Sequence, residues 1–172
     1  MTQIAQKSKH RSRIVGTHFW NPPYLIPLVE VIRGEQTDPK VVEKTYALLQ
    51  RVGKHPVRVH KDVPGFVGNR LQHALWREAI SIVERGIADA ATVDECVKFG
   101  FGLRLPHLGP MENIDMVGTD LTLAIHDYIL KYLESAPNPS ALLQQTWPQK
   151  EAQRSRKELV EYLLEVIAKK GH

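Results

Sequence analysis

The 172 residues are 42% hydrophobic and 24% charged, the composition of a folded water-soluble domain or two small ones. No run approaches the ~18 apolar residues of a bilayer span, and the polar, basic stretch Met1 to Arg13 has no apolar segment of a secretory signal. The only cysteine, Cys96, excludes a disulfide framework within the chain and favours a cytoplasmic location; placed in a helix, it reads as a buried, inert thiol.

The net charge of +4 raises the question of nucleic acid. Much of the basic charge gathers at the ends, on Lys7, Lys9, Arg11 and Arg13 and on Arg154, Arg156, Lys157, Lys169 and Lys170. No aromatics interleave with these clusters and no nucleic-acid module signature occurs, so solvated helix faces account for them, with at most a role in attracting an anionic substrate.

The first sixty residues read as short β-rich runs. Arg13 to Trp20, Leu28 to Ile32 and Val57 to His60 are each rich in β-branched residues and bounded by Pro, Gly or charge. Between the second and third lies a punctuated helix: Asp38 caps it, Pro39 fits its first turn, Gly53 closes it, and Val42, Tyr46, Leu49 and Val52 form its apolar stripe. Strand, helix and strand at this spacing predict a βαβ unit. Three strands and one helix cannot cover both faces of a parallel sheet, so the unit is expected to be completed by something N-terminal or by a partner chain.

After Pro64-Gly65 the pattern turns helical. A long helix is expected over Phe66 to Gly86, and a second opening on a capping box at Thr92-Val93-Asp94-Glu95. Glycines 100, 102 and 109 with prolines 106 and 110 mark a loop. Further helices are expected over Asp120 to Glu134 and from about Glu151 to Lys170, separated by Ala136-Pro137-Asn138-Pro139. The expected class is therefore mixed: a partial α/β unit over residues 1–61, then an all-α domain over 62–172.

Three clusters carry chemistry. In His18-Phe19-Trp20-Asn21-Pro22-Pro23 the strand places His18 at its C-terminal edge, where ligands bind in open α/β sheets. Oxidising a secondary alcohol needs a base for the hydroxyl proton while hydride leaves for a cofactor, and imidazole titrates near neutrality. Glu30, the lone charge in Leu28-Val29-Glu30-Val31-Ile32, is the natural partner to orient the ring. Taken singly, a strand-end His is more often structural, and a Glu alternating within a strand usually faces solvent. In Lys61 to Leu71, Pro64-Gly65 forms a joint and Asn69 falls in the first turn of the long helix. There it is either a substrate-oxygen ligand or a capping or surface amide.

His18 to Pro23, Val29-Glu30-Val31-Ile32 and Asp62-Val63-Pro64-Gly65-Phe66-Val67-Gly68-Asn69-Arg70-Leu71, in this order and spacing, resemble the 3-hydroxyacyl-CoA dehydrogenase family. Gly109-Pro110-Met111-Glu112 and Asp115 to Asp120 resemble its helical domain, and the likeness covers roughly residues 2 to 135. The resemblance implies a Rossmann domain followed by a helical domain that forms a homodimer interface, with NAD as cofactor. It makes residues 1–61 the end of the first and 62–172 the second. It also implies His18 as catalytic base, Glu30 as its carboxylate, Asn69 as a ligand of the reacting oxygen and Asn21 as a neighbour of the nicotinamide.

Departures from the family pattern matter as much. No Gly-x-Gly-x-x-Gly occurs in the 172 residues, nor the acidic residue expected after it, nor the family's substrate-contacting serine. The expectation is a chain that begins in mid-domain, binds NAD weakly or not at all alone, and is inactive by itself. The stretch Phe99 to Pro110 resembles relatives that act on free hydroxy acids, such as carnitine or gulonate dehydrogenases, and Arg104 in it is either a carboxylate ligand or an exposed loop residue. Substrates of both kinds, acyl-CoA and small hydroxy acid, stay open. His55, His60, His73, His107 and His126 show no metal-ligand spacing, and no metal is inferred. The alternative to an enzyme is a helical dimerisation module that has lost the reaction.

Overall fold

The computed structural model describes residues 1–144 and 152–170. They form two compact units, Met1–Gln72 with Pro148–His172, and His73–Trp147. In the first, a short helix α1 (Thr2–Ala5) precedes β1 (Gly16–Phe19), β2 (Leu28–Ile32), α2 (Pro39–Arg51) and β3 (His55–Val59). The sheet order is β1-β2-β3, with β1 antiparallel and β3 parallel to the central β2. The expected βαβ unit is thus β2-α2-β3.

The period of two along β2 divides its side chains between faces. Val29 and Val31, both fully buried, join Val42 and Leu49 of α2 in the core, with Val15 packed against them. Glu30 projects to the opposite face. Burying four aliphatic side chains at ~1.5–3 kcal/mol each is the main force holding α2 to the sheet. Val31→Ala should cost about 2 kcal/mol in urea unfolding, since neighbours on three elements cannot all collapse into the gap; an unchanged midpoint would contradict that core.

Local signals explain the element ends. The Asp38 carboxylate accepts the Lys40 N–H at 2.8 Å, Pro39 opens α2, and Gly53 follows it at φ +76°. Strand β1 is shorter than expected because residues 11–13 turn as a 3-10 helix. Strand β3 starts earlier, at His55, and accommodates Pro56 because β3 lies at the edge of the three strands. After α2, Lys54 reaches back with its ammonium to the carbonyls of Pro23 and Ile26, tying down the loop that follows β1.

Helix α3 (Gly68–Glu84) begins two residues later than expected, because Gly65 and Phe66 take positive φ values of 78° and 46°. The second unit contains most of α3, then α4 (Ala90–Phe99), α5 (Pro110–Val117), α6 (Thr119–Ile129) and α7 (Ala141–Gln144). The cap of α4 is Asp89, which accepts the Thr92 N–H at 2.7 Å; the expected box at Thr92 lies inside the helix. Helix α5 grows out of the expected loop, with Glu112 accepting the Gly109 N–H. Its C-terminal Gly118, at φ +99°, separates it from α6, which ends at Ile129 and continues as a 3-10 turn. Cys96 is exposed on α4, correcting the expectation of a buried thiol: α4 turns that side outward. Carboxylates on α3 receive the chain that follows α6, Glu78 taking the Glu134 N–H and Glu84 the Leu142 N–H.

Among the described residues of this second unit only Ser81 is buried. Phe99, Met111, Leu123 and Tyr128 stand more than half exposed. Helix α8 (Ala152–Lys170) belongs to the first unit; the expected start at Glu151 lies outside the described residues. No helix among the described residues is long and apolar enough to cross a membrane.

Candidate active site

The antiparallel register of β1 on β2 sets His18 directly opposite Glu30. On the sheet face away from the aliphatic core, the two side chains meet, His18 Nδ1 to Glu30 Oε2 at 2.6 Å. Glu30 is 1% exposed, whereas the His18 side chain is 32% exposed. An ionised carboxylate only accepts, so the proton of this bond belongs to Nδ1, and Nε2 carries the free lone pair. That is the tautomer a base needs.

The other carboxylate oxygen does separate work. Glu30 Oε1 accepts the N–H groups of Val67 and Gly68, at 2.9 and 3.0 Å. These are among the N–H groups that a helix start leaves unpaired, and the negative charge suits the positive end of α3. Glu30 thus fastens the histidine of β1 to the start of the helix that carries Asn69. Burial by itself raises the pKa of Glu30. The hydrogen bonds from Gly68, His18 and Val67 outweigh it and hold the carboxyl below its ordinary range.

Two rings flank the imidazole. Phe66 lies 5.5 Å from it between centroids and Trp20 6.2 Å, both tilted. Phe66 is the one non-glycine residue at positive φ among the described residues. Such a conformation costs about 1–2 kcal/mol for a bulky side chain and persists where surroundings over-determine it. Here the Glu30 bonds to the next two N–H groups and the contact with His18 do so.

Asn69 sits one residue into α3 and is partly buried; Asn21 follows the strand of His18 and is exposed. Those four residues, His18, Glu30, Asn21 and Asn69, lie in the first unit, and the hydrogen-bonded pair is His18–Glu30. Arg104 is exposed and belongs to the second unit, its carbonyl accepting the N–H groups of His107 and Leu108. Trp20, Phe66 and the Val67–Gly68 backbone were not singled out from the sequence. The crowding of glycines around Phe66 was the available signal, since a chain that needs Gly65 and Gly68 so close together is bending tightly.

Comparison with known proteins bears on what such a site belongs to. Residues 1–63 match the 3-hydroxyacyl-CoA dehydrogenase NAD binding domain, and residues 65–162 match the C-terminal domain of the same family. The chain belongs to the 3-hydroxyacyl-CoA dehydrogenase family. It is 42% identical over 129 residues to a 5-formyl-3-hydroxy-2-methylpyridine 4-carboxylate 5-dehydrogenase of Mesorhizobium japonicum, covering 75% of this chain and 42% of that protein. It is 38% identical over 119 residues to an L-carnitine dehydrogenase of Pseudomonas putida, covering 69% of this chain and 37% of that protein. The chain therefore spans less than half the length of these relatives. Among solved structures, a 5-formyl-3-hydroxy-2-methylpyridine 4-carboxylic acid 5-dehydrogenase, described as an NAD+ dependent dismutase, superposes with a TM-score of 0.79 at 36% identity, over 90% of this chain and 48% of that one. The (S)-3-hydroxybutyryl-CoA dehydrogenase of Ralstonia eutropha gives a TM-score of 0.60 at 34% identity, over 84% and 50%.

Members of this family are NAD-dependent oxidoreductases, which fixes the cofactor class as NAD. Asn21, the residue expected beside the nicotinamide, follows the end of β1 by two residues and is exposed, with its side chain open to a ligand. The glycine-rich turn that would cradle the pyrophosphate has no counterpart among the 172 residues.

Proposed function

We propose that this chain supplies the acid–base half and the helical half of an NAD-dependent dehydrogenase that oxidises a secondary hydroxyl to a ketone. The observation that carries the reading is the buried Glu30 carboxylate on His18 Nδ1 at 2.6 Å, which leaves Nε2 of a partly exposed ring free to take a proton. The substrate hydroxyl donates its proton to Nε2 of His18. As that proton leaves, the carbon–hydrogen bond would break with its electron pair, for which a bound NAD would supply the hydride acceptor. Glu30 stabilises the imidazolium electrostatically and keeps its own proton-free form. Asn69, from the first turn of α3, donates an amide N–H to the reacting oxygen, and Asn21 meets the nicotinamide end of the cofactor.

In this reading residues 1–61 are the end of the cofactor domain and 62–172 the helical domain. The working enzyme is a cytoplasmic homodimer through the helical domain. The apolar side chains that unit leaves exposed, Phe99, Leu123 and Tyr128 among them, support an interface there. With no pyrophosphate cradle among these residues, the chain alone turns over little or no substrate. A non-catalytic dimerisation module is the competing reading, favoured by the same exposed surface.

Between substrates, the relatives named for a pyridine carboxylate and for carnitine favour a small hydroxy acid over an acyl-CoA. Arg104 is then the carboxylate ligand. The test is to mix the chain with the separately expressed cofactor-binding part of the M. japonicum relative and follow NADH formation. Carnitine-type hydroxy acids should be oxidised, with Arg104→Ala lowering kcat/KM about tenfold, the loss of one charge-assisted pair. Turnover of 3-hydroxybutyryl-CoA alone, indifferent to Arg104→Ala, would assign the acyl-CoA class instead.

A further inference from the structure

A buried carboxylate has about four acceptor sites, and an ionised one needs them filled. Three sites of Glu30 are taken, by His18 on Oε2 and by Val67 and Gly68 on Oε1. Oε2 has room for one more donor. Trp20 offers one: its Nε1–H is buried and meets no acceptor at hydrogen-bonding geometry among the described residues, and its ring lies 6.2 Å from that of His18 and against Gly68, both of which bond the Glu30 carboxylate. An indole can only donate, so a buried Nε1–H without a partner is a cost the fold would remove by a small rotation.

Its position is not accidental. Trp20 follows directly on the last residue of β1, and its ring lies 6.2 Å from that of His18. The indole is seated against the start of α3. A Cβ added at Gly68 would stand 2.2 Å from Trp20 Cζ2 and 3.0 Å from Cε2, so only glycine admits the ring. The helix start that binds Oε1 through its backbone thereby also holds the indole against the pair.

We propose that Trp20 is a positioning residue for the His18–Glu30 pair, its indole N–H acting as the fourth donor to the Glu30 carboxylate. It acts through Glu30: a second donor on Oε2, beside the two on Oε1, resists rotation of the carboxylate about its own bond and keeps Oε2 on His18 Nδ1. Nε2 is thereby kept bare towards the substrate. This deepens the dehydrogenase reading and depends on it for its catalytic meaning, but the contact itself is read without any turnover.

The experiment is 1H–15N spectroscopy of the full chain, whose indole signals come from Trp20, Trp76 and Trp147 and are assigned by Trp20→Phe. The Trp20 signal should lie downfield of the half-exposed Trp76, exchange with water more slowly, and move upfield in Glu30→Gln, where an amide NH2 replaces Oε2. Trp76 should not move in that variant. A second variant covers the case in which Glu30→Gln fails to fold. In Trp20→Phe, which keeps an aromatic ring against Gly68, exchange of the His18 Nδ1 proton should quicken about threefold to tenfold, the size of one net hydrogen bond. A Trp20 indole that exchanges as fast as Trp76 and holds its position in Glu30→Gln, or an unchanged His18 proton in Trp20→Phe, overturns the proposal and leaves Trp20 a packing residue. Neither outcome touches the assignment of His18 as base, which is tested by turnover.

Discussion

Replacing Glu30 by alanine is expected to destabilise the chain by about 3 kcal/mol, a large part of the ~5–15 kcal/mol that holds a domain together. The change strips three donors at once, His18 Nδ1 and the Val67 and Gly68 N–H groups. Each buried donor left without an acceptor costs ~1–3 kcal/mol, and water entering the vacated space recovers part of it. Glu30→Gln should cost less, because its amide oxygen can still accept the two backbone N–H groups. It nevertheless turns an NH2 towards His18, which forces the imidazole proton to Nε2 and removes the base. The pH dependence separates the two effects. Because the folded-state pKa of Glu30 is lowered, its contribution is fully present above the ordinary carboxylate range and is lost as pH falls through the lowered value. Wild type and Glu30→Gln should therefore converge in urea stability under acid and diverge at neutral pH. An alanine variant within ~0.5 kcal/mol of wild type at neutral pH would remove Glu30 from the centre of this fold.

The second large effect concerns Gly68. Alanine should gain ~0.5–1 kcal/mol from helix propensity in α3. Against that, its Cβ would meet the Trp20 indole at 2.2 Å, a distance no real Cβ contact shows. Overpacking of this kind costs ~1–3 kcal/mol, and the rigid indole has α3 in front of it and His18 beside it. The clash should win, giving a net loss of about 2 kcal/mol. In a Trp20→Ala background the same substitution should become neutral or slightly stabilising, because only the propensity gain remains. A double-mutant cycle in urea checks this. If Gly68→Ala costs as much without the indole as with it, the packing account of the joint is wrong.

The contact of His18 with Glu30 is legible in the residue pattern, and the reason is geometric, while the roles of the two rest on the family resemblance. A period of two in Leu28 to Ile32 puts Glu30 opposite Val29 and Val31, so a lone charge there must find a partner on the other face. The Asp38-Pro39 start of α2 is legible because a cap is a local event within four residues. Helix α3 begins two residues later than the pattern predicts because the positive φ of Phe66 goes with its contact to His18 and with the bonds of the next two N–H groups to Glu30, partners that lie 48 and 36 positions before Phe66 and leave no local trace. The second role of Glu30, as acceptor for the start of α3, is hidden for the same reason. Cys96 departs from the usual burial of free cysteine because α4 has no buried residue and too little packed against it to cover one side fully.

The most direct measurement of the central claim is NADH formation by the chain mixed with a cofactor-binding half from a relative, comparing wild type with His18→Ala. If His18 is the base that Glu30 orients, kcat should fall by about 10²- to 10⁴-fold, the share of a rate that a positioned base supplies. Substrate KM should change little, since proton transfer develops only in the transition state. A complemented His18→Ala enzyme that turns over as fast as wild type would contradict the account.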